Sequence, residues 1–322
     1  IERGLGIKWL AVLFAVFAVL ATFGAGCTVQ SHAITDVIRT SFGVNPAISG
    51  IVVTILTAVV ILGGVKQISR VCEKLVPFMA LFYIIGCAVI LFLNRAFLLP
   101  ALGTIVTSAF SLKSITGGFL GSAMMIACKY GVARGLFSNE SGLGTAPIAA
   151  ASAQTKNPVR QALVSMTGTF WDTVIVCAIT GIVIVSTQLR LPELYVNVKD
   201  DALTQIAFSQ LPYVGSYVLA IALSIFAFTT ILGWSYYGER CVTYLFGAKR
   251  VMIYRIVFLV VLFYGAIADL GIIWTFSDLM NGLMAFPNLV SILLLSGVIV
   301  KETKHYLWDK HLDEHAPPAP VV

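Results

Sequence analysis

Residues 137–145 read FSNESGLGT, and they stand between two long apolar runs of a 322-residue chain whose mean hydropathy is +0.93. Lipid offers no hydrogen-bond partner to an open backbone, so irregular chain at membrane depth survives only where protein, ions or a cavity surround it. Ser138, Asn139 and Ser141 can bond nearby backbone in place of the helical ladder. Gly142 and Gly144 accept dihedrals and close approaches that other residues cannot. Two readings are open. In one, 119–155 is a membrane helix broken at its centre, whose freed amides and carbonyls hold a small zwitterion or cation at half-helix ends carrying dipole. In the other, the stretch is a cytoplasmic loop followed by a separate amphipathic helix, TAPIAAASAQ.

Working outward, the chain is 58% apolar and 11% charged, under half the roughly 25% charge of soluble proteins. Apolar runs near the ~20 residues needed to cross a bilayer recur throughout. They fall at about 9–34, 47–64, 75–93, 119–155, 159–185, 212–245, 251–270 and 278–300, with Pro46 and Pro158 as helix openers. A short interfacial helix is expected between the third and fourth. The fold class is therefore an all-α polytopic membrane protein, with one transmembrane domain of about eight crossings over 1–310 and a disordered tail over 311–322, HLDEHAPPAPVV.

The charges orient these spans. Thirteen cations, from Arg3 and Lys8 through Lys66, Arg70, Lys156 and Arg160 to Lys310, fall in loops on one side; Arg39, Arg95, Lys113, Arg190 and Lys199 fall on the other. The positive-inside rule then makes the start and the C-terminus cytoplasmic, a parity that eight crossings satisfy. A multi-pass protein of the plasma membrane is expected, the inner membrane in a bacterium. The net charge of +6 forms no stripe, which excludes a nucleic-acid partner, and leaves membrane lipid as the surrounding medium. Six scattered Cys without a CxxC pair read as small hydrophobes, and His311 and His315 lack companion metal ligands. No GxSxG, HExxH or paired catalytic acid lies at membrane depth, so an enzyme is not expected, nor a cofactor. IERGLGIKW reads as the tail of a loop, so the chain is expected to be a piece of a longer protein.

Three further groups are candidates for chemistry. Glu140, an ionisable residue at membrane depth, either braces the bundle through Arg134 or Lys129 or answers a substrate ammonium. In FAFTTILGWSYYGE, Thr229 and Thr230 offer adjacent hydroxyls suited to a hard cation such as sodium, or merely bond back onto their own helix. Thr230 and Trp234, four residues apart, share a face. Gln30 and His32 place hydrogen-bonding groups near the outer end of the first run, and Asp172 reads as a buried network residue.

The runs GVARGLFSNESGLGTAPIAAASAQTKNPVRQALVSMTGTFWDT and FAFTTILGWSYYGE resemble the alanine or glycine:cation symporter family of the amino acid-polyamine-organocation superfamily. The resemblance covers almost the whole chain. It implies a partial leucine-transporter-like inverted-repeat fold comprising core helices three to ten, with the first two core helices absent, and alternating access coupled to sodium, or occasionally to protons. It implies L-alanine, glycine or D-alanine as substrate and a co-transported sodium ion. Phe137, Glu140 and Gly142 then face substrate at the helix-six break, whose other members are Ser138, Asn139, Ser141 and Gly144. Thr230 and Trp234 match the helix-eight pocket, and Thr229 and Thr230 the hydroxyl half of a sodium site. Gln30 and His32 match the helix-three motif GNxxQxN, from which the chain departs at Cys27 and at His32. The second departure bears on substrate range, because neutral His is larger than Asn and its donor depends on tautomer. Lacking half the ion site, this chain by itself is expected not to transport.

Overall fold

A computed structural model describes all residues except 111–130, 134, 197–202, 212–213, 269 and 317–322, and no strand occurs among those described. After a single turn, Glu2–Leu5, come α1 (Lys8–Phe42), α2 (Pro46–Leu62), α3 (Gly64–Leu93), α4 (Leu98–Phe110), α5 (Ala146–Ala150), α6 (Pro158–Arg190), α7 (Leu203–Ser209), α8 (Gly215–Phe246), α9 (Val251–Ile267), α10 (Leu270–Leu294) and α11 (Ser296–Thr303). Among the described residues, six helices are long and apolar enough to cross a membrane, and α2 is shorter.

The sequence makes these helices apolar on both faces, as lipid requires. In α2, Ser49, Gly50, Val53, Thr57, Val60 and Ile61 are buried, while Ile48, Ile51, Val52, Ile55, Leu56 and Val59 are exposed. Helical spacing thus puts the small and hydroxylated residues, together with Val53, Val60 and Ile61, against protein and the other large aliphatics outward. Asn45 caps α2 by accepting from the Ala47 amide at 2.9 Å, with Pro46 in the first turn. Two boundaries differ from the sequence reading. The connector 63–74, expected as a loop, is the first turns of α3, because its charged residues sit on an ordinary helix that simply extends past the apolar run. The last run, expected over 278–300, is α10 ending at Leu294 followed by the separate α11.

The chain divides into two units. The first comprises Ile1–Val76, Glu140–Gly168 and Leu223–Val322. In it α1 packs along α10, and α9 packs on α1 and α2. Its core holds Cys27, Ile34, Val53, Ala227, Ile231, Val242, Tyr254, Phe258 and Leu262. The Arg255 guanidinium places Nε at 3.0 Å and Nη2 at 2.8 Å from one Glu239 oxygen, a half-buried tie between α9 and α8. At the end of the chain, residues 311–316 depart from the expected disorder. Asn157 is buried, accepts from the Arg160 amide at the start of α6, and donates to the carbonyls of Leu312 and Glu314 at 2.8 and 3.0 Å. Arg160 pairs with Asp313 at 2.8 Å, and the Ala316 amide donates to the Lys156 carbonyl at 2.7 Å.

The second unit comprises Pro77–Asn139 and Thr169–Ala222. Tyr83 hydrogen-bonds Thr180 at 2.7 Å and stacks on Phe208. Buried Asn94 donates to Thr187 and accepts from Arg190 at 2.9 Å. Cys27, Cys72, Cys87, Cys177 and Cys241 are free thiols, and Cys128 lies outside the described residues.

Candidate functional site

Helix runs over 135–138, stops at Asn139, and resumes at Ala146. The left-handed φ values of +52° at Glu140, +78° at Gly142 and +87° at Gly144 occur at alternate residues, which no helix can contain. Glu140 is the informative one, since a side chain in this region is strained unless its surroundings hold it. Its carboxylate accepts from the buried Thr145 hydroxyl at 2.6 Å, and the Tyr237 hydroxyl of α8 is a second hydrogen-bonding neighbour. The carboxylate is thereby a brace across the break. Arg134 and Lys129, the partners expected from sequence, lie outside the described residues.

Two contacts fix the rest of the loop. Asn288 of α10 donates to the Gly142 carbonyl at 2.8 Å. A Cβ on Gly144 would stand 2.7 Å from Phe14 of α1 and 2.9 Å from Asn288, so this position needs glycine for space as well as for φ. Among the described residues, the amides of Ser141, Gly142 and Gly144 make no hydrogen bond within the chain. The loop therefore presents donors and alternating φ signs, a geometry suited to an anionic group.

On the far side of the break, within the second unit, Ser138 donates to Asp172 at 2.6 Å and Asn139 donates to Thr173, both at the start of the π-helical stretch Phe170–Cys177 in α6. Ser138 is the last helical residue rather than part of the opening. Phe137, half-buried, belongs to this unit as well.

A second irregularity lies in α1, where Gly24–Thr28 form a π turn. The Thr28 hydroxyl donates to the Phe23 and Gly24 carbonyls, both at 3.0 Å, and Gln30 Nε2 donates to the Ala25 carbonyl at 3.2 Å. Here α8 touches the α1 backbone: a Cβ on Gly26 would fall 2.2 Å from Trp234 Cβ, and one on Gly238 would fall 3.0 Å from Thr22. These two contacts, four residues apart and in opposite directions, make α1 and α8 antiparallel. One turn further out, the same register brings Gln30 and Thr230 to one level.

Trp234 is 3% exposed and meets Tyr237 edge-on at 5.8 Å. Thr229 and Thr230 both donate to the Phe226 carbonyl, at 2.9 and 3.0 Å. Back-bonding occupies their protons and leaves oxygen lone pairs, which is compatible with holding a cation. His32 carries a buried Nδ1 with no partner among the described residues. A cavity of about 1380 Å³ adjoins the C-terminal end of the break, lined by Phe14, Gly144, Tyr236 and Asn288 and by the charged Lys8 and Arg240.

Sequence reasoning did not single out Thr145, Tyr237, Gly26 or Asn288. An asparagine inside the apolar α10 was the available signal, because intramembrane polar residues face the bundle interior. Asn281, two helical turns earlier on α10, is also buried, and neither of its side-chain polar atoms has a partner among the described residues.

Comparison with known proteins places these features in context. Residues 1–318 match the model of the sodium:alanine symporter family. The sodium/alanine symporter AgcS of Methanococcus maripaludis is 49% identical over 305 residues, 95% of this chain and 66% of that protein. The "Probable sodium/glutamine symporter GlnT" of Bacillus subtilis is 36% identical over 314 residues, 96% of this chain and 64% of that protein. The amino-acid carrier protein AlsT of the same organism is 35% identical over 316 residues, 95% of this chain and 64% of that protein. The chain thus spans about two thirds of the length of the curated relatives it matches.

Proposed function

The chain belongs to the sodium:alanine symporter family, and from that premise we propose that it provides the helix break and α8 wall of a secondary transporter carrying a small neutral amino acid with sodium. The observation that carries the reading is that, among the described residues, the amides of Ser141, Gly142 and Gly144 have no hydrogen bond, next to Glu140, whose carboxylate neighbours Tyr237 of α8. Those amides receive the amino acid carboxylate. Trp234, with Gln30 and Thr230 at one level beyond it, bounds the side chain, and Glu140 and Gly142 shape the loop. Sodium takes oxygen ligands from Thr229 and Thr230, since a hard cation is held by hydroxyl and carbonyl oxygen without thiol or imidazole. Phe137 stands in the proposal on the family resemblance alone, as does His32.

The fold we infer is the leucine-transporter inverted repeat, with the described spans as core helices three to ten. Alternating access then exposes the site to each side in turn, the cavity lined by Gly144 and Asn288 being its inner approach. No bond is made or broken; coupling means that sodium and amino acid each raise affinity for the other by the same factor. Alanine is the substrate favoured, after the relatives, with glycine and D-alanine next.

The test is uptake of labelled alanine by the full-length protein in proteoliposomes under an inward sodium gradient, with glycine, D-alanine and glutamine as competitors. Accumulation that collapses when the gradient is dissipated is expected, and replacing both threonines by valine should raise the sodium needed for half-maximal uptake at least about tenfold, the loss of roughly 1.4 kcal/mol of ion binding. Accumulation indifferent to sodium contradicts the ion assignment.

A further inference from the structure

We propose that Gly26 is a specificity-determining residue: by letting α8 rest directly on the α1 backbone it sets the depth of the Trp234 wall, and with it the room for a methyl side chain. The inference rests on the transport reading above and assigns a role to a residue outside the pocket lining. A Cβ at Gly26 would lie 2.2 Å from both Cβ and Cγ of Trp234 and 2.7 Å from Cδ2. Those distances are far inside the roughly 3.5–4.0 Å of carbon contacts. The atoms met are the root of the indole, so no rotamer change relieves the overlap, and α8 itself must withdraw.

The local backbone is built around this approach. Gly26 is central to the π turn Gly24–Thr28. Gln30, a pocket candidate, is pinned to the same turn through its bond to the Ala25 carbonyl. Trp234 is in turn edge-on to Tyr237, which neighbours the Glu140 brace of the helix break. A shift of α8 at Gly26 therefore displaces the indole relative to both Gln30 and the loop that receives the carboxylate. Glycine as solute presents no side chain to the indole, whereas the methyl of alanine touches it. A displaced wall penalises that methyl either as a clash or as a gap, and a single methyl in a fitted pocket is worth discrimination of about 10-fold or more.

The experiment compares the ratio of alanine to glycine uptake, as kcat/KM per folded protein, in wild type, Gly26→Ala, Trp234→Phe and Gly265→Ala of the full-length protein. Gly265 is the packing control: its Cβ would lie 2.5 Å from the Thr28 Cα, an overlap of α9 on the end of the same π turn whose nearest atoms all belong to Thr28 and none to α8. Gly26→Ala is expected to lower the alanine preference at least about threefold, chiefly through the KM for alanine, and Gly265→Ala to reduce the folded yield without moving the ratio. Trp234→Phe keeps the root atoms and so folds even if Gly26→Ala does not; it is expected to lower the same preference. An unmoved ratio in whichever of Gly26→Ala and Trp234→Phe is folded overturns the inference, and so does an equal shift in Gly265→Ala. A wild type that takes up neither solute with sodium overturns the transport reading, and this inference falls with it.

Discussion

At Glu140 a carboxylate, a left-handed φ and a buried hydroxyl meet in one residue. Removing the carboxylate leaves Thr145 without its acceptor, and an unsatisfied buried hydroxyl costs about 1–3 kcal/mol. Glu140→Ala is therefore expected to lose stability by that amount in thermal unfolding, while Glu140→Gln, which retains an acceptor oxygen, loses less. Gly144→Ala combines strain of about 1–3 kcal/mol with overlap on Phe14 and Asn288 and should be the more damaging change at the loop. His32→Asn returns one of the two positions at which the chain departs from the motif it resembles; a changed substrate ranking or pH profile of uptake is the expected outcome, and identity with wild type would remove His32 from the proposed site. The polar and flexible composition of 137–145 made an interruption of helix legible from sequence, since each residue type there disfavours a continuous helix, and it left the broken-helix and loop readings both open. Thr145 and Tyr237 were not legible as partners, because a threonine two residues before a proline and a tyrosine on an aromatic-rich helix carry no sign of what they will face.

Elements show the same division. The spans were readable from hydropathy, but the π turns at Gly24–Thr28 and Phe170–Cys177 were not, because an inserted residue is stabilised by what packs against it rather than by propensity. The extension of α3 back to Gly64 escaped for the opposite reason: a charged helix emerging from an apolar one looks like a connection. Between α8 and α9 the half-buried Glu239–Arg255 pair has a clear consequence, as removing one partner strands the other charge at a cost below the roughly 3–5 kcal/mol of a fully buried pair. Glu239→Ala should unfold at distinctly lower temperature, and the double replacement by a size-matched apolar pair should recover much of the loss. At the chain end, Asn157→Ala removes two bonds to the segment 311–316 and should make it more readily cleaved in limited proteolysis, while wild type resists.

For the whole molecule, composition and charge placement were enough to identify a multi-pass membrane protein, and the distribution of lysine and arginine gives an orientation that geometry alone does not. We propose from it that the C-terminus is cytoplasmic, so that a cysteine introduced as His311→Cys reacts with an impermeant maleimide only after the inner face is exposed. The division into two units was invisible in the sequence, since apolar runs look alike whichever neighbours they pack against. The central claim is that the backbone amides freed at the helix break receive the transported amino acid. Amide hydrogen exchange over 139–145 of the full-length protein in lipid nanodiscs, with and without alanine and sodium, tests it most directly. Rapid exchange that slows markedly only when both solutes are present is the result this account predicts; exchange already slow without them, or unchanged by saturating alanine and sodium, contradicts it.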